Sequence, residues 1–249
     1  MPVAATRGAA AVLALGLLLT GCGGGSGKKT PATTGGSPAP AAAATPVLGK
    51  EPSKIAAARV AQVQIYANPG DGSPSMTLRN PNPDGAQRVF LVLGEQNGWL
   101  HVLLPVPPNG SKGWIKAGDV VVQTTPYWIQ VQRSGHRLTV FSGTSKVLDV
   151  PAAIGTQDTP TPGGLYYIAE LLKAPNPRGD YGPYAYGLSG YSTSLKQFGG
   201  HDPIIGIHGT NQPKLVGTSV SHGCVRVRND VITKMAKMLP LGTPVDIQA

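Results

Sequence analysis

The sequence predicts a mostly β chain built from two small domains, and three observations carry that reading. Short apolar or alternating runs are punctuated by 34 glycines and 24 prolines among 249 residues, the pattern of strands joined by tight turns. Only Asn229–Met238 spaces its apolar residues, Val231, Met235 and Met238, at the helical period. Pro126 then separates two blocks of strand-like runs.

The elements follow in chain order. Residues 1–21 combine Arg7 with an uncharged apolar run, Ala9–Thr20, too short to span a bilayer comfortably and typical of a signal sequence. Leu19-Thr20-Gly21-Cys22 resembles the lipobox of bacterial lipoproteins. That resemblance implies cleavage before Cys22, a lipid on its sulfur and a place on the extracytoplasmic face of the cytoplasmic membrane. Residues 22–45 are Gly, Ser, Thr, Pro and Ala with only Lys28 and Lys29 charged. Such a composition buries too little apolar surface to offset ordering, so a disordered tether is expected.

Residues 57–123 read as the first folded domain. Val60, Val63 and Ile65 open it, and a Pro/Gly/Asn-rich loop runs from Asn68 to Gly85. Arg88–Leu93 and Trp99–Leu103 are strands around an Asn97-Gly98 turn signal. Gly113-Trp114-Ile115 and Gly118–Val122 close the block. This block resembles the bacterial SH3-like β-barrel, a module that either binds wall peptide, orients its neighbour or acts as a spacer.

Residues 124–249 form the second domain. Tyr127–Gln132 and Arg137–Phe141 make a hairpin about Ser134-Gly135-His136, and Val147–Ala153 is a further strand. Leu165–Ile168 follows a Pro/Gly break. The stretch from Lys173 to Gly200 shows no period and reads as a long lid or binding wall. Ile204–Ile207 is a buried strand ending at His208, the helix at Asn229 is capped by Asn229 or Asp230, and Thr243–Ile247 is the last strand.

Chemistry concentrates at Ser221-His222-Gly223-Cys224-Val225-Arg226. With Cys22 committed elsewhere, Cys224 is an unpaired thiol beside histidine, glycine and arginine, the setting of a nucleophilic cysteine. His208-Gly209 supplies a candidate base sixteen positions earlier. Glycine at 223 lets backbone N–H groups of His222, Gly223 and Cys224 approach an oxyanion. In an extended segment His222 and Cys224 share a face, so His222 either tunes the thiol or contacts substrate. Ser221 is a candidate substrate contact. Arg226 can depress the thiol pKa, bind a substrate carboxylate or make a structural salt bridge.

His208-Gly209-Thr210 with Ser221–Arg226, Thr159–Gly164 and the C-terminal Gly-Thr-Pro-Val are together similar to the signature of the YkuD-type L,D-transpeptidases over residues 126–248. The resemblance implies a β-sandwich or barrel catalytic domain with one or two short helices and a lid loop. It implies that Cys224 attacks the bond before a D-Ala of a peptidoglycan stem peptide, and that the Gly209 carbonyl orients His208. A 3→3 crosslink, no cofactor and acylation of Cys224 by carbapenem-type β-lactams follow from it too. An L,D-carboxypeptidase or a D-amino-acid exchange enzyme shares the thioester, and a non-catalytic envelope-binding lipoprotein is the non-enzymatic alternative.

Composition bounds the remaining classes. Net charge is +9, spread as +2 over residues 46–123 and +4 over 124–249. Without a dense Lys/Arg block or interleaved aromatics, nucleic acid is not an expected partner. A mildly basic exported protein suits the polyanionic envelope. His201, Asp202, His208, His222 and Cys224 match no zinc spacing, so no metal is expected. A monomer is expected.

Overall fold

A computed structural model describes residues 47–249; the expected signal sequence, Cys22 and the expected tether lie outside the described residues. The first block contains seven strands: β1 Ser53–Ala58, β2 Gln62–Ile65, β3 Met76–Arg79, β4 Val89–Gln96, β5 Trp99–Leu103, β6 Lys112–Lys116 and β7 Val120–Thr125. Five of them form an antiparallel sheet in the order β6-β5-β4-β1-β7, and β2 pairs with β3. Asn97 and Gly98 both hold positive φ, 47° and 81°, the geometry a tight two-residue hairpin turn requires. One core here gathers Val63, Ile65, Phe90, Val102 and Ile115.

β1 begins ahead of the expected first strand. Its Ser-Lys-Ile-Ala-Ala-Ala sequence has weak β propensity, but its last four residues are buried, so packing overrides propensity. β3 lies inside the expected Asn68–Gly85 loop.

The second block contains β8 Tyr127–Gln132, β9 Arg137–Ser142, β10 Ser145–Pro151, β11 Ile154–Gly155, β12 Gly164–Lys173, β13 Tyr184–Tyr191, β14 Ile204–His208, β15 Ser219–Ser221, β16 Val225–Arg226, α1 Asn229–Met238 and β17 Pro244–Gln248. An eight-stranded sheet runs β10-β9-β8-β17-β12-β13-β14-β16, with β11 and β15 paired separately. The β17-β8 and β14-β16 pairs are parallel. One face of the sheet is closed by α1, whose Val231, Ile232 and Met235 join Tyr166, Ile168, Tyr186, Ile207 and Val225 in a core.

A third apolar cluster joins the two blocks. Ile55, Leu91 and Leu103 of the first sheet pack on the fully buried Tyr167 of β12. Gly242, at φ 85°, lies so close to Ile55 that any Cβ would strike its side chain.

The Lys173–Gly200 stretch is not one loop. It holds β13, flanked by two loops. Gly187 and Gly190 remove the alternation that would have marked a strand, yet both are needed: their Cβ positions are occupied by Glu170 and Tyr166 side chains.

Candidate active site

The register of four strands sets the site. Ile205, Ile207, Val225 and Val227 enter the core. Alternation therefore turns Gly206, His208, Cys224 and Arg226 to the opposite face. That face floors a cavity of about 580 Å³, which all four residues line. Leu172, Ala185, His208 and Arg226 form one cross-strand row. Cys224 lies two residues before Arg226, so it is a diagonal neighbour of His208, a separation that long side chains bridge.

His208 is 4% exposed. Its Nδ1 lies 2.6 Å from the Gly209 carbonyl oxygen. A carbonyl only accepts, so Nδ1 carries the proton and Nε2 is left as the acceptor. Burial pushes the His208 pKa down to about 4, opposed by the Gly209 bond and reinforced by the Arg226 charge. The ring is therefore neutral at pH 7.

Cys224 is a free thiol that keeps partial exposure. Burial of its sulfur pushes the thiol pKa up, against the opposing pull of a Gly206 backbone hydrogen bond and the Arg226 charge. The resting pair is thus thiol and imidazole, both uncharged. The positive surroundings read from the sequence moderate the thiol pKa without overcoming desolvation.

The turn that carries Cys224 is shaped by Ser221. Expected to touch substrate, Ser221 is instead 1% exposed. Its hydroxyl donates to the Cys224 carbonyl at 2.5 Å and accepts the Gly223 N–H at 3.2 Å. That second bond occupies Gly223 as a donor, so of the three N–H groups expected to face an oxyanion, that of Gly223 is already engaged. Gly223 adopts φ 117°, which an L side chain rarely tolerates. The bend also breaks the extended segment that would have put His222 beside Cys224. His222 is exposed, at the pocket mouth near Phe198 with ring centroids 6.2 Å apart. Thr159 supports the turn from below, donating its hydroxyl to the Ser221 carbonyl at 3.1 Å.

Arg226 is half-buried, and its Nε is enclosed without a hydrogen-bond partner. Among the described residues it makes no ion pair, so the structural salt bridge has no partner. No group of three or more His, Cys, Asp and Glu is placed to hold a metal among the described residues.

Three contributors escaped sequence reasoning. Tyr181 leans over His208 with ring centroids 4.7 Å apart. Asp180 accepts from Asn211 at 2.6 Å, tying the β12–β13 loop to the segment that follows His208. Asn229, expected as a helix cap, is the first residue of α1, which has no side-chain cap. Its Oδ1 instead accepts the Thr210 N–H at 2.8 Å, and Gly182 and Gly209 both crowd against it.

The profile of the L,D-transpeptidase catalytic domain matches residues 126–247, which contain every residue of this pocket. The YkuD protein of Bacillus licheniformis, named as an L,D-transpeptidase, is 34% identical over 58% of this chain and 84% of its own. Its Bacillus subtilis counterpart is 36% identical with the same coverage. The chain belongs to the YkuD L,D-transpeptidase family. This is a family of acyltransferases that act on peptidoglycan peptides. Among solved structures, Bd1075 of Bdellovibrio bacteriovorus is 33% identical with a TM-score of 0.40, covering 50% of this chain and 48% of that one. An Enterococcus faecium L,D-transpeptidase is 22% identical with a TM-score of 0.38, covering 52% and 56%. The match therefore spans about half the length of those two solved chains.

Proposed function

We propose that the protein is a peptidoglycan L,D-transpeptidase that forms 3→3 crosslinks through a thioester on Cys224. The observation that carries this reading is the His208–Gly209 bond, which fixes the tautomer and leaves Nε2 as a base on the pocket face that presents Cys224.

The steps balance with the groups present. Cys224 Sγ attacks the carbonyl carbon of the third stem residue while its proton passes to His208 Nε2. The oxyanion forms against the N–H groups of His222 and Cys224. Collapse breaks the C–N bond, and the D-Ala amine leaves with the proton from His208. A side-chain amine of a second stem then attacks the thioester and gives its proton to His208. The thiol is restored as the amide forms. Arg226, unpaired at the pocket floor, is placed to hold the donor's terminal carboxylate.

Two placements accompany this reading. The Leu19–Cys22 string supports lipid anchoring at Cys22, with the enzyme on the extracytoplasmic face of the cytoplasmic membrane. The five antiparallel strands from β1 to β7 support an SH3-like module ahead of the catalytic domain.

Purified tetrapeptide stems test the reaction. Crosslinked dimers with released D-Ala are expected. Free tripeptide alone would identify a carboxypeptidase, and full crosslinking by Cys224→Ala would overturn the thioester.

A further inference from the structure

The pocket carries a carboxyl group that this chemistry leaves unused. Glu170 of β12 is 6% exposed and lines the cavity that holds Cys224. Its Oε2 accepts from Asn82 Nδ2 at 2.6 Å, a contact from the loop between β3 and β4. Among the described residues no ion pair reaches it. Its Oε1 lies where a Cβ of Gly187 would stand.

The ladder shows why the acid belongs to the site. Glu170 pairs with Gly187, and Gly187 with Gly206. Gly206 is one step before the Ile207–Val225 pair, which places it beside Cys224. One cross-strand row thus reads carboxyl, bare backbone, bare backbone, thiol. Neither glycine admits a methyl group: Gly187 would strike Glu170, and Gly206 would meet the Tyr186 carbonyl oxygen at 2.6 Å. The result is a trough across the sheet with an acid at one end and the nucleophile at the other. Three strand spacings put their Cα atoms on the order of 14 Å apart, and the Glu170 side chain, lying over Gly187, shortens the open gap. A flexible four-carbon side chain ending in an ammonium fits such a gap.

The electrostatics ask for a cation there. Burial raises the Glu170 pKa, the Asn82 hydrogen bond pulls it down, the neighbouring Asp84 carboxyl pushes it up again and the Arg88 charge lowers it. Arg88 directs its own Nε to the Arg79 carbonyl at 3.1 Å, so it leaves the carboxylate without an ion pair. A metal lacks the ligands, since no group of three donors stands here among the described residues.

We propose that Glu170 forms an ammonium subsite that selects donor stems with a free side-chain amine on the residue before the scissile bond. The inference rests on the transpeptidase reading above. With Arg226 at the opposite strand, the pocket is bipolar. The donor lies with its side-chain cation toward β12 and its terminal carboxylate toward β16.

The test uses the full protein and two tetrapeptides that end in D-Ala, one with lysine and one with Nε-acetyllysine at the third position. The readout is the single-turnover rate of acyl-enzyme formation by intact mass, with its one equivalent of D-Ala, a step that precedes the acceptor amine. Wild type is expected to favour the free amine by about tenfold to a hundredfold, the range of a hydrogen bond to a charged group. Glu170→Gln keeps an acceptor for Asn82 and removes the charge, so the preference should fall to about threefold or less. Equal rates in wild type, or an unchanged preference in E170Q, overturn the subsite while leaving the transpeptidase intact. No acyl-enzyme from either peptide in wild type overturns the transpeptidase reading and the subsite with it. Should E170Q not fold, Glu170→Asp takes its place: a preference lowered severalfold supports the subsite, and an unchanged one overturns it.

Discussion

Acidification should cost this protein stability through one ring. In the folded chain His208 has a pKa of about 4, against an ordinary value of 6.5. Between those values the unfolded chain binds a proton that the folded chain refuses, so stability rises with pH across the window. The contribution is fully present above pH 6.5 and drains away as pH falls toward 4. The shift amounts to about 3 kcal/mol at 1.36 kcal/mol per pH unit. The group is 4% exposed, so solvent screening removes little of it. His208→Asn is the control, because its amide can still donate to the Gly209 carbonyl but does not titrate. Urea unfolding at intervals from pH 7 to pH 4 measures both proteins, and every other titrating group cancels in the difference. Wild type is expected to lose about 3 kcal/mol more than H208N over that range. Parallel losses, within 1 kcal/mol, would mean that the ring is hydrated and titrates normally, which refutes the buried neutral base.

Three further outcomes follow from the same geometry. Because burial pushes the Cys224 thiol up, its alkylation by iodoacetamide should keep accelerating above pH 8; a plateau near neutrality would indicate a preformed thiolate–imidazolium pair. Ser221→Ala removes both bonds that fold the nucleophile's turn and is expected to destabilise by about 1–3 kcal/mol, with kcat falling more than KM rises; wild-type kcat would show that the turn holds without it. Gly206→Ala sets a methyl against the Tyr186 carbonyl at 2.6 Å and is expected to cost about 1–3 kcal/mol in a denaturant melt, and an unchanged midpoint would contradict the close approach.

What could be read in the residues is what the chain encodes locally. The α1 helix occupies Asn229–Met238, the span its period marks, and the β8–β9 hairpin follows its alternation. The positive φ of Asn97 and Gly98 is likewise a property of two adjacent residues. His208 and Cys224, which two short glycine-flanked strings single out, do line one pocket. What escaped depends on pairing between distant strands. β13 hides behind glycines whose missing side chains make room for Glu170 and Tyr166. Glu170 lies beyond the expected Leu165–Ile168 strand, and its place in the site rests on its ladder to Gly187. Ser221 and Asn229 were read by residue type, as a substrate contact and a cap, but a turn-internal hydrogen bond claims the first and a tertiary one the second.

The central claim is that Cys224 carries the acyl group between two stem peptides. Intact mass of the protein, quenched during turnover of tetrapeptide stems, tests it most directly. The account predicts an adduct equal to the stem without its D-Ala, mapped to Cys224, which disappears as dimer forms and is absent from Cys224→Ala. Dimer formation with no adduct on Cys224, or at undiminished rate in the alanine variant, would contradict it.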